Sequence, residues 1–396
     1  MEQHSFELPL NILFISSWYP NSEQPTLGNF VQKHAQAAAM YNRVSVITAV
    51  SSASHADLRI EKRQERNVDE YIAYFPKSKG LFAKALNFLR NRKAFLAAYD
   101  CFCKDHGKPD LIHLNVCYPL GVWALHLKRK YGIPYVITEH SSGFHLGTDH
   151  AYPQHILTVC KKILAGASYI LPVSQDLQRS LKKLAPKAHF DIISNVVDEQ
   201  IFLFGTASDS EKKRFIHIST GVDSIKNLSG MIRTVDTLSQ KRRDFLLDIV
   251  SDGDIEYAKE LVKEIHDPSL IRFHATKTTE EIADMLQQSD ALVLFSNYEN
   301  FPCVIPEAFM TGKPVISTAV NGIPEHVNSE NGILIEKNNE LQLADAIEKI
   351  LNGAVSFDPN GIRHYAMENF SYATVGRKLD NIYRKVVASN ASDNAE

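Results

Sequence analysis

Short apolar runs alternate with amphipathic helical patterns along nearly the whole chain, and this series occurs twice. NILFIS (11–16) precedes the helical pattern FVQKHAQAAAMY (30–41), which leads to VSVITAV (44–50). LIHLNV (111–116), PYVITEH (134–140), YILPVS (169–174) and FDIISN (190–195) follow, with helical stretches between them. After residue 210 the rhythm restarts with FIHIST (215–220), FLLDIVSD (245–252), IRFHA (271–275), ALVLFS (291–296) and PVIST (314–318). Strands without polar alternation, each followed by an amphipathic helix, form parallel sheets buried on both faces. The reading is α/β: two doubly wound domains facing a cleft. The first covers residues 1–195 and the second 196–369, joined through the polar stretch 197–213. A closing helix at about 370–390 packs back on the first domain. A length of 396 residues also suits two cores better than one.

Charge is divided unevenly between the halves. Residues 1–190 hold 23 Lys+Arg and 14 Asp+Glu (+9), whereas residues 191–396 hold 20 and 32 (−12). A basic first half suits an anionic surface or partner on that side. The five cysteines, at 101, 103, 117, 160 and 303, form no CxxC pair. That argues against a disulfide framework or a zinc site and fits a reducing compartment. MEQHSFELPLNILFIS (1–16) reads as the approach to a buried strand, not as a signal peptide. No apolar run reaches the ~18 residues of a membrane span.

Chemistry concentrates after the strands, where doubly wound sheets bind ligands. ENFPCVIPE (299–307) follows ALVLFS and places two carboxylates around a helix start. Pro302 presets helix entry, and Gly312 followed by Pro314 ends the helix. Backbone N–H groups at a helix start, with the positive end of the helix dipole, suit an anion. Glu299 and Glu307 flank that cradle, and carboxylates accept hydrogen bonds from hydroxyl pairs. In the first domain, Gly28 in TLGNF (26–30) opens a helix where backbone can approach closely. His140 ends a strand in TEH (138–140).

The stretch SNYENFPCVIPEAFMTGKPVISTAVNGIPEHV (296–327) resembles the E-x7-E region of the GT-B retaining glycosyltransferases of family 4. VSQDL (173–177), ISNVVDEQIF (193–202), HISTGVDSIKN (217–227) and IVSDGD (249–254) resemble that family's successive signatures in order. The resemblance covers most of the chain and implies two Rossmann-like domains and a nucleotide-sugar donor. It also implies retention of anomeric configuration, with neither cofactor nor metal. Residue by residue, it gives Glu307 the ribose hydroxyls and Glu299 the hydroxyls of the donor sugar. The backbone of Asn300, Phe301, Pro302, Cys303 and Val304 would hold the sugar and diphosphate. Lys226 would neutralise the departing phosphate, and His140 and Gly28 would meet the donor from the first domain.

Some positions depart from the pattern. The family usually has an arginine five residues before the lysine, where this chain has Gly221. Its Pro-Asn-Gly signature appears as Ser194-Asn195-Val196. Asp252-Gly253-Asp254 has the makings of a divalent-metal pair but reads better as a turn.

Residues 77–95, KSKGLFAKALNFLRNRKAF, read as a helix with Leu81, Phe82, Ala85, Leu86 and Leu89 on one face. Basic amphipathic helices lie on anionic membranes; the alternative is a core-facing helix with a basic outer face. The expected enzyme transfers a sugar to a carbohydrate or lipid-linked acceptor in surface polysaccharide or glycoconjugate synthesis. It would work in the cytoplasm, peripherally on the inner membrane face, without nucleic acid. A sugar-nucleotide 2-epimerase of the same fold and a non-catalytic two-lobed sugar-binding protein are the rival readings.

Overall fold

In the computed structural model, residues 8–145, 148, 151–205 and 211–393 are described; part of the expected link, residues 206–210, lies outside them. The chain divides into two compact units. The first combines residues 1–196 with 372–396, and the second is residues 197–371.

The first unit holds β1 (Asn11–Ser16), β2 (Arg43–Ser52), β3 (Arg59–Glu65), β4 (Val68–Pro76), β5 (Leu111–Asn115), β6 (Tyr135–Glu139) and β7 (Tyr169–Pro172). They form one sheet in the order β3-β4-β2-β1-β5-β6-β7, with every pair parallel except β3–β4. Successive residues of a strand face opposite sides, and the core divides accordingly. Leu13, Ile15, Ile112, Leu114 and Ile137 pack under the helices Ala83–His106, Gly121–Tyr131 and Gln154–Gly166. Ile12, Phe14, Leu111 and Val136 pack against Asn29–Ala38 and Tyr372–Asp393. The last helix is tied down by polar contacts as well. Tyr372 donates to Gln36 Oε1 at 2.8 Å, and Asn42 Nδ2 donates to Asp380 Oδ1 at 3.0 Å.

Two features of this unit differ from the sequence reading. FDIISN forms no strand; Phe190 makes only an isolated bridge to Ile170. Conversely, β3 is an exposed, charged edge strand, RIEKRQE, with no apolar run to announce it. Its partner β4 follows a two-residue turn in which Arg66 and Asn67 both have positive φ, 45° and 64°. That backbone matches the twist of a tight hairpin.

The second unit holds β8 (Lys213–Ser219), β9 (Phe245–Ser251), β10 (Ile271–His274), β11 (Ala291–Leu294), β12 (Val315–Thr318) and β13 (Gly332–Ile335). Its sheet is parallel throughout, in the order β10-β9-β8-β11-β12-β13. The direction of winding reverses between β8 and β11 here, and between β1 and β5 in the first unit. At such switch points the loops leaving adjacent strands part, opening a crevice at their carboxyl ends.

Candidate functional site

At the β8/β11 switch point, two loops far apart in sequence are stitched together. Asn297 donates its backbone N–H to Ile225 O at 2.7 Å and its side-chain amide to Ser224 O at 3.3 Å. Lys226 ends the one-turn helix Asp223–Lys226, and Asn227 follows with φ 51°. Asn227 also starts the next helix, accepting Gly230 N–H on its side chain at 3.2 Å. Lys226 Nζ thereby reaches Glu299 Oε1 at 2.5 Å. The same oxygen accepts the Ser296 hydroxyl at 2.8 Å, and Glu299 N–H donates to Asn321 Oδ1 at 3.3 Å. Lys226 and Glu299 keep 16% and 9% of their side chains exposed. The pair is therefore shielded yet open on one side.

The helix Val304–Met310 begins beside this pair, and no side chain caps its start at Cys303. Pro306 falls within its first turn, where the missing N–H costs no intrahelical bond. Glu307, one turn in, is buried. The Phe301 side chain is a core residue, its ring centroid 4.4 Å from that of His326. At this position only backbone remains for a ligand. Asn300 O accepts Gly322 N–H at 3.0 Å, which holds the loop against the chain beyond β12.

His217, Ser296 and Asn321 contribute to the site although sequence reasoning did not single them out. His217 is fully buried on β8, with Nδ1 2.8 Å from Val293 O and Nε2 2.7 Å from Ser219 Oγ. The carbonyl can only accept, so Nδ1 carries the proton. Ser219 in turn accepts Gly221 N–H at 3.1 Å. Burial above all, with nearby Lys226 adding to it, pushes His217 down to about 4. It is a neutral brace that locks β8 to β11. A buried His in the middle of an apolar strand, FIHIST, was the available signal.

Gly221 stands where the resembling family usually has arginine, and the space for a side chain there is taken. A Cβ at residue 221 would lie 2.3 Å from Ile255 Cγ2 and 2.9 Å from Ser251 Oγ, with φ at +71°. The left-handed backbone and the Ile255 and Ser251 side chains both oppose an arginine at that point, and Lys226 is the cation beside Glu299. Asp252 to Asp254 form a turn, with Gly253 N–H on Ser251 Oγ at 3.2 Å and Glu256 N–H on Asp254 Oδ1 at 3.1 Å. Among the described residues, no three His, Cys, Asp or Glu side chains are grouped to hold a metal.

Gly28 and His140 belong to the first unit. Gly28 precedes the helix Asn29–Ala38 with φ +67°, and a Cβ there would lie 2.2 Å from Trp18 O. The close approach that this glycine permits is thus to the chain's own backbone. His140 follows β6, half-buried, with its ring centroid 4.3 Å from Phe30 and 5.4 Å from His34. Burial, then the neighbouring His34 and His113, hold its imidazole well below the usual range. It is a neutral hydrogen-bonding group, not a cation. Of the residues singled out from the sequence, the structure joins Lys226 to Glu299 directly and sets residues 300–304 and Glu307 in the adjoining loop and helix.

The family model described as Glycosyltransferase Family 4 matches residues 29–201, and that described as Glycosyl transferases group 1 matches residues 198–366. The putative teichuronic acid biosynthesis glycosyltransferase TuaC of Bacillus subtilis is 25% identical over 366 residues, 86% of this chain and 89% of that protein. Sucrose-phosphate synthase from Thermosynechococcus elongatus superposes with a TM-score of 0.75 at 18% identity, covering 96% of this chain and 100% of that one. HepE of Anabaena, solved in complex with UDP-glucose, gives 0.69 at 16% identity, covering 95% and 100%. The two family models between them run from residue 29 to residue 366, over two parallel-sheet Rossmann-like units; this chain belongs to the group 1 glycosyl transferases, family 4, and is a glycosyltransferase of GT-B type.

Proposed function

We propose that this glycosyltransferase moves a sugar from a nucleoside diphosphate sugar to an acceptor hydroxyl with retention of anomeric configuration. The observation that carries the reading is the Lys226–Glu299 pair at the β8/β11 switch point, beside a helix start without a side-chain cap. A diphosphate seated on that helix start would replace Glu299 as the partner of Lys226. Glu299 would then be released to the sugar hydroxyls, with Glu307 on the ribose. As the glycosidic bond to phosphate breaks, negative charge grows on the leaving oxygen, and a fixed ammonium there stabilises the transition state more than the ground state. Family resemblance alone assigns His140 and Gly28 to the donor, and it alone supports the retaining course and the absence of a metal step. UDP-glucose in the similar HepE structure supports the donor class. Product analysis tests the reading: a labelled donor should yield a glycoside with the donor's own anomeric configuration. An inverted product, or a released 2-epimer of the sugar nucleotide, would overturn it.

The acceptor side of the reading is a carbohydrate or lipid-linked acceptor in surface polysaccharide synthesis, reached at the cytoplasmic face of the membrane. The teichuronic acid role in the name of TuaC supports the product class. Support for the membrane comes from the first part of residues 77–95: the helix begins only at Ala83, its Ala94 and Phe95 pack in the core, and the large apolar side chains exposed lie between 81 and 89. Leu81 is 92% exposed, Phe82 70%, and Phe88 and Leu89 each 56%. Residues 71–99 hold six Lys or Arg and no Asp or Glu. Each such cation contributes about 1 kcal/mol at an anionic bilayer, while the exposed rings enter the apolar boundary. The chain should float with phosphatidylglycerol vesicles and be released by 0.5 M salt. The variant L81D/F82D should stay in solution, and its flotation unchanged would contradict this contact. No described helix is long and apolar enough to cross a membrane.

A further inference from the structure

The first unit contains a buried carboxylate that none of these roles uses. Glu139 closes β6 and has no solvent exposure. As the neighbour of His140 in an extended chain, it points to the opposite face of the sheet. Its Oε1 accepts the backbone N–H of His140 at 2.9 Å and of Ser141 at 2.8 Å, and its Oε2 accepts that of Cys117 at 2.8 Å. Those three amides come from two loops, one leaving β5 and one leaving β6.

The β5 loop adopts an unfavourable backbone to reach it. Val116 has φ +63°, a left-handed conformation that a β-branched residue rarely adopts. With Val116 so turned, its N–H bonds Thr138 O at 2.9 Å and the next N–H meets Glu139. Strain of this kind persists where the surroundings over-determine it, and it gathers at functional sites. Just before it, Asn115 sits at the β1/β5 switch point, fully buried, with neither Oδ1 nor Nδ2 in a hydrogen bond. Unsatisfied buried amides are rare, and this one closes the strand from which the loop restrained by Glu139 leaves.

We propose that Glu139 is a positioning residue for glycosyl transfer: its carboxylate ties the chain leaving β5 to the chain leaving β6 and so fixes where His140 presents its imidazole. This rests on the reading above, in which His140 meets the donor. The titratable side chains about Glu139 are Cys117 on the β5 loop, Cys160 on Gln154–Gly166 and Tyr152 on the segment before that helix. His34 and His113 stand near His140 on the other face. Burial raises Glu139 to about 7, while the three backbone N–H groups pull the other way. A protonated Glu139 sets an O–H against an N–H and loosens one arm of the clasp. Positioning is therefore complete above pH 7 and declines as the pH falls through it. Stability runs the opposite way: a carboxyl whose folded value is raised favours the fold at low pH, and that contribution is lost as pH rises through about 7.

His140 itself is neutral throughout this range, so it reports on Glu139. In the full chain with selectively 13C,15N-labelled histidine, the His140 ring signals can be identified by their loss in His140→Gln. They should move with a midpoint near pH 7 while keeping the shifts of a neutral imidazole. Glu139→Gln should remove that inflection, lower kcat at least tenfold, leave donor KM within twofold and abolish the acid limb of the rate profile. Glu139→Asp, which keeps the charge, should restore part of both the rate and the limb. A flat His140 titration in the parent chain overturns the proposal, even if Glu139→Gln does not fold. Parental rates and pH profile in Glu139→Gln overturn it as well. Should no sugar transfer be found at all, the functional reading fails, while the His140 titration still decides the role of Glu139.

Discussion

Lys226→Ala is expected to lower sugar transfer by roughly 10²–10³-fold, the usual loss on removing one preorganised charge-stabilising group. The reasons lie in the site's geometry. Lys226 is the cation 2.5 Å from Glu299, and residue 221, where the resembling family usually has an arginine to share the phosphate charge, is a glycine with φ at +71° packed against the Ile255 side chain. Its side chain is 16% exposed and that of Glu299 is 9% exposed, so the dielectric between them is well below that of water. The substitution also leaves Glu299 with only the Ser296 hydroxyl on Oε1. Breaking one side of an enclosed ion pair costs roughly 3–5 kcal/mol, and the open side of this pair reduces that. Lys226→Arg separates the effects. It restores charge to Glu299 and most of the stability, but a planar guanidinium does not reproduce a compact ammonium, and the rate should remain at least tenfold down. A Lys226→Ala enzyme within tenfold of the parent would mean that the leaving phosphate is neutralised elsewhere.

Gly28→Ala should be the most damaging small substitution in the first unit. The added Cβ would lie 2.2 Å from Trp18 O and 2.3 Å from Trp18 C, with φ at +67°. The left-handed backbone alone costs about 1–2 kcal/mol. The overlap costs more, because a backbone carbonyl cannot rotate away as a side chain can. Trp18 is further held by Ser16, whose hydroxyl donates to Trp18 O at 2.8 Å and accepts Trp18 N–H at 3.0 Å. Either the loop after β1 opens or the helix Asn29–Ala38 shifts. At roughly 2–4 °C per kcal/mol for a unit of this size, Tm should fall by about 10 °C, with loss of transfer. Gly132→Ala is the control: φ is +70°, but nothing lies within 4 Å of its Cβ. It bears the conformational cost alone, a fall of roughly 2–8 °C. Equal losses at the two positions would remove the steric account of Gly28.

Much of this molecule is legible in its sequence, and the illegible parts have definite causes. Apolar runs such as ALVLFS and FLLDIVS are buried strands because both faces of a parallel sheet are covered. β3 escapes that test, since an edge strand with charged, exposed residues has no hydrophobic period to detect. FDIISN passes the test yet forms only one bridge, because composition does not say whether a neighbouring strand is there to pair with. The E-x7-E spacing identifies two carboxylates around a helix start. Residues 226 and 299 are 73 positions apart, however, and only the β8–β11 adjacency brings them together. Strand order is a tertiary property and leaves no local trace. Glu139 lay hidden in plain sight in TEH, where the histidine drew the functional reading and the carboxylate beside it gave no sign of three backbone partners.

A nucleoside diphosphate is expected to seat at the β8/β11 switch point against Lys226. Thermal unfolding of the full chain with UDP-, GDP- and ADP-sugars tests it most directly, because a ligand bound only to the native state raises Tm through RT ln(1 + [L]/Kd). One nucleotide class should stabilise the parent chain, and Lys226→Ala and Glu307→Ala should each abolish the shift. Stabilisation that persists unchanged in both variants would contradict the account.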